Sequence, residues 1–236
     1  MLLNDGYCNC CDQRTQFSSK DDWFRDNYKC ENCNSIPRER ALMFCIEKFY
    51  PTWRDLVIHE SSPAMRGASA RLQRDARNYF SSHFFQGIPS GMMHEGCRCE
   101  DLENLSFEDE SIDLHISQDV LEHLFHPAQA FKEIARTLMP GGAHIFTTPL
   151  VKKNKSTSWC ATQDEDGFTK YLINPPEYHG NPLTEEGSLV TVHWGYDITQ
   201  FVFNACGLYT DLIYVDSLEL GIRAEYIEVL ITRKPS

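Results

Sequence analysis

Apolar residues recur along the chain at two different spacings, and the change between them predicts the elements. Between residues 55 and 150, short apolar runs such as "DLVIHE" and "SIDLHIS" alternate with stretches in which apolar residues return every three or four positions. Runs of the first kind predict buried strands, and stretches of the second kind predict amphipathic helices. Strands that alternate with helices favour a parallel sheet with helices on both faces.

The pattern predicts seven strands, two of which close the chain as an antiparallel pair. The strands are 55–60, 77–82, 96–102, 111–117, 141–149, 208–217 and 225–233. Helices are predicted for 64–76, for a segment that starts near Pro127 and ends near Leu138, and for 195–206, which Gly207 ends. The expected fold class is therefore α/β, a Rossmann-like, mostly parallel sheet of seven strands.

Two further segments lie outside this alternation. Leu42, Cys45, Ile46 and Phe49 recur at helical spacing, so residues 38–49 predict an amphipathic helix within a linking segment, 38–54. Residues 151–194 are polar, contain several prolines and aromatics, and show no sustained period. So long a connection inside a compact domain is usually functional. We call residues 151–194 the lid segment and expect it to cover a substrate site within the main domain, 55–236.

Composition narrows the class of protein. The chain has 236 residues, 42% of them hydrophobic, enough for one α/β domain with a small appendage. A formal net charge of -12 disfavours a broad surface for DNA or RNA. The start "MLLNDGYCNC" lacks the pattern of a secretory signal, and no stretch approaches 18 uninterrupted apolar residues. We expect a soluble cytoplasmic protein without membrane insertion, and the oligomeric state stays open.

Four of the ten cysteines have the spacing of a zinc site. Cys8 and Cys11 form one C-x2-C pair, and Cys30 and Cys33 form another after 18 intervening residues. Two such pairs at this separation are typical of a structural zinc site with four thiolates. Residues 1–37 therefore predict a zinc-ribbon-like module that binds Zn²⁺. Chance or redox pairs are the alternative, and Cys10 inside the first pair complicates the assignment.

The residues from 100 to 149 resemble a known enzyme family. "EDLENLSFEDESIDLHISQDVLEHL" followed by "ARTLMPGGAHIFTTP" resembles the centre of a class I S-adenosylmethionine-dependent methyltransferase of the type-11-like group. The cysteine module, "PRERAL", "ESSP" and "PPEYHGNPL" resemble a bacterial subgroup whose substrates are mostly unassigned. The resemblance implies S-adenosylmethionine as cofactor and general methyltransferase activity (EC 2.1.1.-).

Ligands in such sheets bind beyond the carboxyl ends of the strands. The resemblance implies that Asp101 accepts a hydrogen bond from the adenine amino group, that the Leu102 amide addresses the ring, and that the turn containing His123 packs against the methionyl part. A solvated acidic loop is the alternative for Asp101, and a structural role is the alternative for His123. The full set of predicted cofactor residues is Glu60, Ser61, Ser62, Ser81, Ser82, Asp101, Leu102, Gln118 and His123.

The first of these loops departs from the family pattern. His59 stands where an acid is common, and Ser61, Ser62 and Pro63 replace the glycines. We expect no positive φ there, because Pro63 fixes its own φ near about -65°. Serine hydroxyls would supply donors instead, and Glu60 would pair with the ammonium or sulfonium arm of the cofactor. At the second strand Ser81 and Ser82 replace the acid that binds ribose, which predicts weaker cofactor binding.

The favoured function is methyl transfer to a small molecule or saccharide, at a hydroxyl group. Asp119 and His179 are the candidate catalytic residues, and Tyr178, His179 and His193 are expected to bind substrate. One alternative is a weak or inactive methyltransferase fold that serves as a zinc-containing binding protein. Another is an RNA methyltransferase, against which the net charge argues.

Overall fold

The computed structural model describes residues 2–181 and 184–236. Its N-terminal part is a small antiparallel sheet of three strands in the order β1-β2-β3, with a short helix α1 before β3. A 13-residue helix, α2, follows as predicted, and it begins at a proline, a residue whose fixed φ suits the first helical turn. These elements are β1 Leu2–Cys8, β2 Gln13–Ser19, α1 Phe24–Asn27, β3 Lys29–Cys30 and α2 Pro37–Phe49.

The main sheet has eight strands in the order β16-β17-β9-β8-β4-β5-β7-β6. Strands β4, β5, β7, β8 and β9 are parallel. Strand β17 runs antiparallel to its neighbours β9 and β16 near one edge. The prediction of seven strands is one short, because Met93–His94 adds an edge strand antiparallel to β7. The bounds are β4 Val57–Ser61, β5 Asn78–His83, β6 Met93–His94, β7 Cys97–Cys99, β8 Ile112–Gln118, β9 Leu138–Thr147, β16 Tyr209–Ile213 and β17 Val229–Arg233.

Helices cover both faces of this sheet, and each face has its own apolar core. One core joins Ile58, Leu114 and Ile145 to α2, α3 and the N-terminal cysteines. The other packs Phe131 and Ile134 of α4 with residues of α5. The N-terminal module therefore shares a core with the sheet. The remaining helices are α3 Gly67–Asp75, α4 Pro127–Thr137 and α5 Ile198–Cys206.

The lid segment, without a predicted period, contains three small antiparallel pairs. Its end is held against the main domain, since the Thr191 amide donates to the carbonyl of Glu122 at 2.8 Å. The pairs are β10 Ser158–Trp159 with β15 Val192–His193, β11 Ala161–Gln163 with β12 Thr169–Tyr171, and β13 Tyr178–Asn181 with β14 Thr184–Leu189. Pro182 and Leu183 of "PPEYHGNPL" lie outside the described residues. Across the residues that are described, every helix is too short or too polar to span a bilayer.

Three histidines of the sheet are completely buried. His59 Nδ1 lies 3.0 Å from His115 Nδ1, and the outer nitrogens of the two rings bond Ser82 and Thr137. His144 bonds the Ser117 hydroxyl at 2.9 Å. Burial lowers the pKa of all three imidazoles, that of His115 to about 3. The folded chain therefore holds them neutral.

This burial makes the protein sensitive to acid. In the unfolded chain these histidines take up protons as pH falls below about 6.5, whereas the folded chain keeps them neutral. The free energy of unfolding is therefore unaffected by these groups above that pH, and it decreases as pH falls from there towards their lowered pKa values. The loss is about 1.4 kcal/mol per pH unit for each histidine. His144→Phe removes one such group while keeping an aromatic ring stacked on Phe146.

We expect the free energy of unfolding of His144→Phe, relative to wild type, to rise by about 2 kcal/mol between pH 6.5 and 5. Urea denaturation at both pH values measures it. His126→Phe, at an exposed ring, is the control and should show no such change. A pH-independent difference for His144→Phe would contradict the account.

Candidate functional site

Several of the predicted cofactor residues lie together at the carboxyl ends of the central parallel strands. In the parallel register Glu60 lies beside Ser81, and Ser61 lies beside both Ser82 and Ser117. Gln118 ends β8, next to β4. Strand order reverses between β4 and β8, and this is where ligands bind in open parallel sheets. The sheet therefore brings the residues predicted from three strand ends to one place.

Glu60 is buried, and its carboxylate is already engaged. Oε1 accepts hydrogen bonds from the Ser69 hydroxyl at 2.6 Å and the Gln118 amide at 3.0 Å, and Oε2 accepts one from the Tyr79 hydroxyl at 2.9 Å. Burial raises the pKa of Glu60, and these hydrogen bonds oppose that rise. The side chain therefore ties α3, β5 and β8 together beneath the first loop. Contact with the cofactor's arm, predicted from the sequence, stays a prediction.

The first loop does use positive φ, contrary to expectation. Ser62 has φ 53° and Gly67 has φ 58°. The Ser62 amide donates to the carbonyl of Ser82 at 2.8 Å, which holds the turn against β5. At Gly67 a Cβ atom would lie 2.1 Å from Glu39 Oε2, so the close approach also requires glycine. The missing glycines are thus replaced by a left-handed serine and by one glycine at the start of α3.

The loop that follows β7 contains Asp101 and Leu102. The Leu102 side chain is buried in the core beneath α4 and α5. Asp101 is half-buried, and its Oδ1 accepts the Glu103 amide at 2.8 Å. Glu100 fixes the preceding position, because its carboxylate accepts the Ser106 amide at 2.9 Å and pairs with Arg98 at 2.7 Å. The loop is anchored on both sides of Asp101, while the adenine contact stays a prediction.

Asp119 is not open to a substrate in this structure. Its Oδ2 lies 2.5 Å from Arg25 Nη2 and 3.1 Å from Arg38 Nε, and its Oδ1 accepts the Thr147 hydroxyl. Burial would raise the pKa of this carboxyl, but the guanidiniums of Arg38 and Arg25 outweigh it and lower the pKa to about 2. Asp119 therefore anchors the N-terminal module and α2 to the end of β8. Its role as a catalytic residue stays a prediction.

The 3-10 turn Leu121–His123 and the lid segment face one another. His123 Nε2 and His179 Nδ1 each lie 3.8 Å from Glu122 Oε1, and the two imidazole rings cross at 90°. His193 Nε2 lies 2.8 Å from Glu177 Oε2. The structure thus brings three predicted residues, His123, His179 and His193, into one cluster. Tyr178 is half exposed on the neighbouring strand position.

Sequence reasoning missed Glu122 and Glu177 as members of this cluster. Glu177 precedes His179 by two positions, and residues two apart in a strand share one face, so that spacing was an available signal. Arg25 and Arg38, the partners of Asp119, carried no such signal, because they lie far from it in the sequence, 94 positions in the case of Arg25.

The four predicted cysteine ligands converge as expected. Cys8 Sγ lies 3.7 Å from Cys33 Sγ, Cys11 Sγ lies 3.9 Å from Cys30 Sγ, and all four sulfurs lie within 4.8 Å of one another. Zinc bound tetrahedrally by thiolates at about 2.3 Å separates the sulfurs by about 3.8 Å. The donor set and its spacing therefore fit Zn²⁺. Cys10 is buried but does not belong to this group.

A buried cation lies beside the cysteines. Arg40 is fully buried and donates hydrogen bonds to the carbonyls of Ser35, Tyr28 and Gly221. These acceptors are neutral, and its positive charge interacts with Cys10, with Cys8 and Cys30 of the group of four, and with Glu39. Four thiolates around a divalent ion carry a net charge of about -2. Arg40 would compensate part of that charge, which is a second reason that the pocket suits a metal.

Two surface cavities are lined by residues other than the predicted site residues. One of about 280 Å³ is lined by residues that include Tyr196, Tyr226 and Glu228, and one of about 480 Å³ lies between α1 and the segment around Arg223. Neither is lined by the predicted cofactor residues. The chemistry at the strand ends, not these cavities, therefore defines the candidate site.

Comparison with known proteins identifies the fold. Residues 59–146, from β4 to β9, match a family described as a methyltransferase domain. No curated protein matches the chain. An S-adenosylmethionine-dependent methyltransferase from Mesorhizobium loti superposes with a TM-score of 0.51 and 17% identity, over 82% of this chain and 98% of that one. This likeness shows that the chain has a methyltransferase fold.

A second similar structure is the 1,6-didemethyltoxoflavin-N1-methyltransferase of Burkholderia thailandensis. It is 12% identical to this chain, with a TM-score of 0.48, over 84% of this chain and 79% of that one.

Proposed function

We propose that this chain is an S-adenosylmethionine-dependent methyltransferase that acts on a hydroxyl group of a small molecule or saccharide. The observation that carries the proposal is the match of residues 59–146 to the methyltransferase domain family. Those residues include the carboxyl ends of β4, β5, β7 and β8, and a parallel sheet binds its ligand beyond these strand ends.

Methyl transfer from a sulfonium is an in-line displacement, so most of the catalytic work is to hold the acceptor atom against the methyl carbon. In this proposal the carboxylate of Asp101 accepts a hydrogen bond from the exocyclic amine of adenine. Ser81 addresses the ribose, since the hydroxyl of its neighbour Ser82 is already bonded to His59. Ser61 and Ser62 form the turn beneath the methionyl part. Tyr178, His179 and His193 lie on the acceptor side.

Zinc in this proposal is structural. Four cysteines at tetrahedral spacing leave no open position for water or substrate. The module instead contributes to the core beneath the sheet and supplies Arg25 to the carboxylate at the end of β8. Metal binding would thus support the geometry of the strand ends that bind the cofactor, without taking part in the reaction.

A binding role without catalysis is the competing function, and one observation favours it. The carboxylate of Glu60 is satisfied within the protein by Ser69, Tyr79 and Gln118, so the first loop offers a cofactor fewer free groups. A crystal structure with S-adenosylhomocysteine decides between the two functions. The enzyme proposal expects adenine beside Asp101 and the sulfur facing His179. Density at the surface cavities alone would favour the binding role.

Asp101→Ala is expected to weaken S-adenosylhomocysteine binding about 10-fold, because the adenine amine loses a charged acceptor, whose hydrogen bond contributes about 1.5–3 kcal/mol. Calorimetric titration measures it. Glu108→Ala, an exposed acid of the same segment, is the matched control and should bind like wild type. Equal affinities for Asp101→Ala and wild type would remove Asp101 from the adenine site.

A further inference from the structure

Three metal-ligating side chains converge beside the acceptor side of the site. They are Glu122 and His123 of the 3-10 turn after β8, and His179 of β13 in the lid segment. Glu122 Oε1 lies 3.8 Å from His123 Nε2 and 3.8 Å from His179 Nδ1, and all three atoms lie within 4.8 Å of one another. Ligands that hold one ion at about 2.1 Å lie roughly 3–4 Å apart. The cluster therefore has nearly the spacing of a bound ion.

Both imidazoles present an acceptor nitrogen to this point. His123 Nδ1 lies 2.8 Å from the carbonyl oxygen of Leu189, which can only accept, so the proton is on Nδ1 and Nε2 carries a lone pair. His179 Nε2 lies 3.3 Å from a carboxylate oxygen of Glu177, so in the neutral ring the proton is on Nε2 and the lone pair is on Nδ1. Glu177 is held in turn by His193 at 2.8 Å. Histidine ligands in metal sites are oriented by such partners.

The buried carboxylate of Glu122 is a second, independent reason to place a cation here. Its side chain is only 2% exposed, and its Oε2 accepts the Thr148 hydroxyl at 2.9 Å. Within residues 2–181 and 184–236, Oε1 has no hydrogen-bond donor, although it points between the two imidazole nitrogens. A buried carboxylate oxygen without a partner is costly. A cation at the convergence of these three lone pairs would remove that cost.

We propose that Glu122, His123 and His179 bind one divalent transition-metal cation of the zinc, iron or manganese class. Two imidazoles favour these ions over Mg²⁺ and Ca²⁺, which prefer oxygen ligands. Three protein ligands leave further coordination positions open, as in catalytic sites and unlike the four-cysteine site. Because His179 belongs to the lid segment, the ion would also fix the lid segment against the turn after β8.

The role of this ion rests on the proposed methyltransferase function. An open position would take the acceptor hydroxyl oxygen and lower its pKa. The hydroxyl proton passes to solvent, the oxygen forms its bond to the methyl carbon, and the carbon–sulfur bond breaks with its electron pair returned to the sulfonium. The products are a methyl ether and neutral S-adenosylhomocysteine. No protein base is required, which agrees with the pairing of Asp119.

The test is titration of the zinc-loaded full chain with Co²⁺, followed by calorimetry and visible absorption. We expect one further ion per chain, with a spectrum of nitrogen and oxygen ligands and no thiolate band. His179→Ala should weaken this binding at least about 30-fold, and Glu177→Gln, which removes only the orienting carboxylate, about 10-fold. His179 is 36% exposed, so its replacement leaves the core intact. His126→Ala, at an exposed neighbouring histidine, is the matched control and should bind like wild type.

Absence of a second ion in wild type, or the same affinity in His179→Ala, would overturn the proposal. Either result would indicate that the cluster is held by hydrogen bonds and ion pairs between Glu122 and the imidazoles, without a metal ion. Titration of the same samples with S-adenosylhomocysteine separates this from the proposed function. Cofactor binding without the second ion defeats the metal site only. A second ion without cofactor binding defeats the methyltransferase proposal and leaves the metal site.

Discussion

Cys30→Ser is expected to release the zinc ion and to lower the melting temperature by more than about 10 °C. Structural zinc contributes on the order of 10 kcal/mol to the folding of small zinc modules. In a chain of this size a loss of about 4 kcal/mol is enough for such a shift. Cys30 is fully buried in the core that the module shares with the sheet, so the effect should extend beyond the module.

Zinc content of the purified protein and thermal unfolding measure the effect together. Cys97→Ser is the matched control, because Cys97 is half-buried and lies outside the group of four. It should retain about one zinc ion per chain and the wild-type melting temperature. Zinc-free wild-type protein prepared without chelators, or full zinc retention in Cys30→Ser, would refute the four-thiolate site.

Asp119→Asn is expected to lower the free energy of unfolding by about 3 kcal/mol. The change removes the charge that Arg25 and Arg38 share and leaves two largely buried guanidiniums without it. Breaking a buried ion pair by removing one partner costs about 3–5 kcal/mol. Because the lowered pKa of Asp119 is about 2, its contribution is present above about pH 4 and is lost as pH falls through 2.

Asp26→Asn provides a close control. Asp26 also pairs with Arg25 and Arg38, at 3.5 and 3.2 Å, but it is 44% exposed. Exposed pairs contribute about 0–1 kcal/mol, so this variant should be nearly as stable as wild type. Urea denaturation at pH 7 compares the two. Equal stability of Asp119→Asn and Asp26→Asn would show that Asp119 does not anchor the module.

Prediction from the sequence succeeded where local periodicity was decisive. The alternation around Leu114 and Ile116 marked β8, and the spacing of Phe131 and Ile134 marked α4, because each pattern reports which side of an element is buried. The cysteine pairs were likewise legible, since two residues between ligands suit one ion. The extra edge strand Met93–His94 was missed because two residues carry no period.

The contacts of the first loop and of Asp119 could not be predicted in the same way. The carboxylate of Glu60 accepts hydrogen bonds from Tyr79 and Gln118, which lie 19 and 58 positions away. No local sequence pattern indicates such pairs. The left-handed turn at Ser62 depends on its hydrogen bond to Ser82 across the sheet. The pairing of Asp119 with Arg25 could not be predicted either, because Arg25 lies 94 positions away and becomes its neighbour only after folding.

The most direct measurement is calorimetric titration of the zinc-loaded chain with S-adenosylhomocysteine. We expect one site per chain with a dissociation constant below about 100 μM, equivalent to a binding free energy of about -5.5 kcal/mol. We also expect the melting temperature to rise with ligand concentration. No heat and no thermal shift at millimolar ligand would contradict the proposed methyltransferase function.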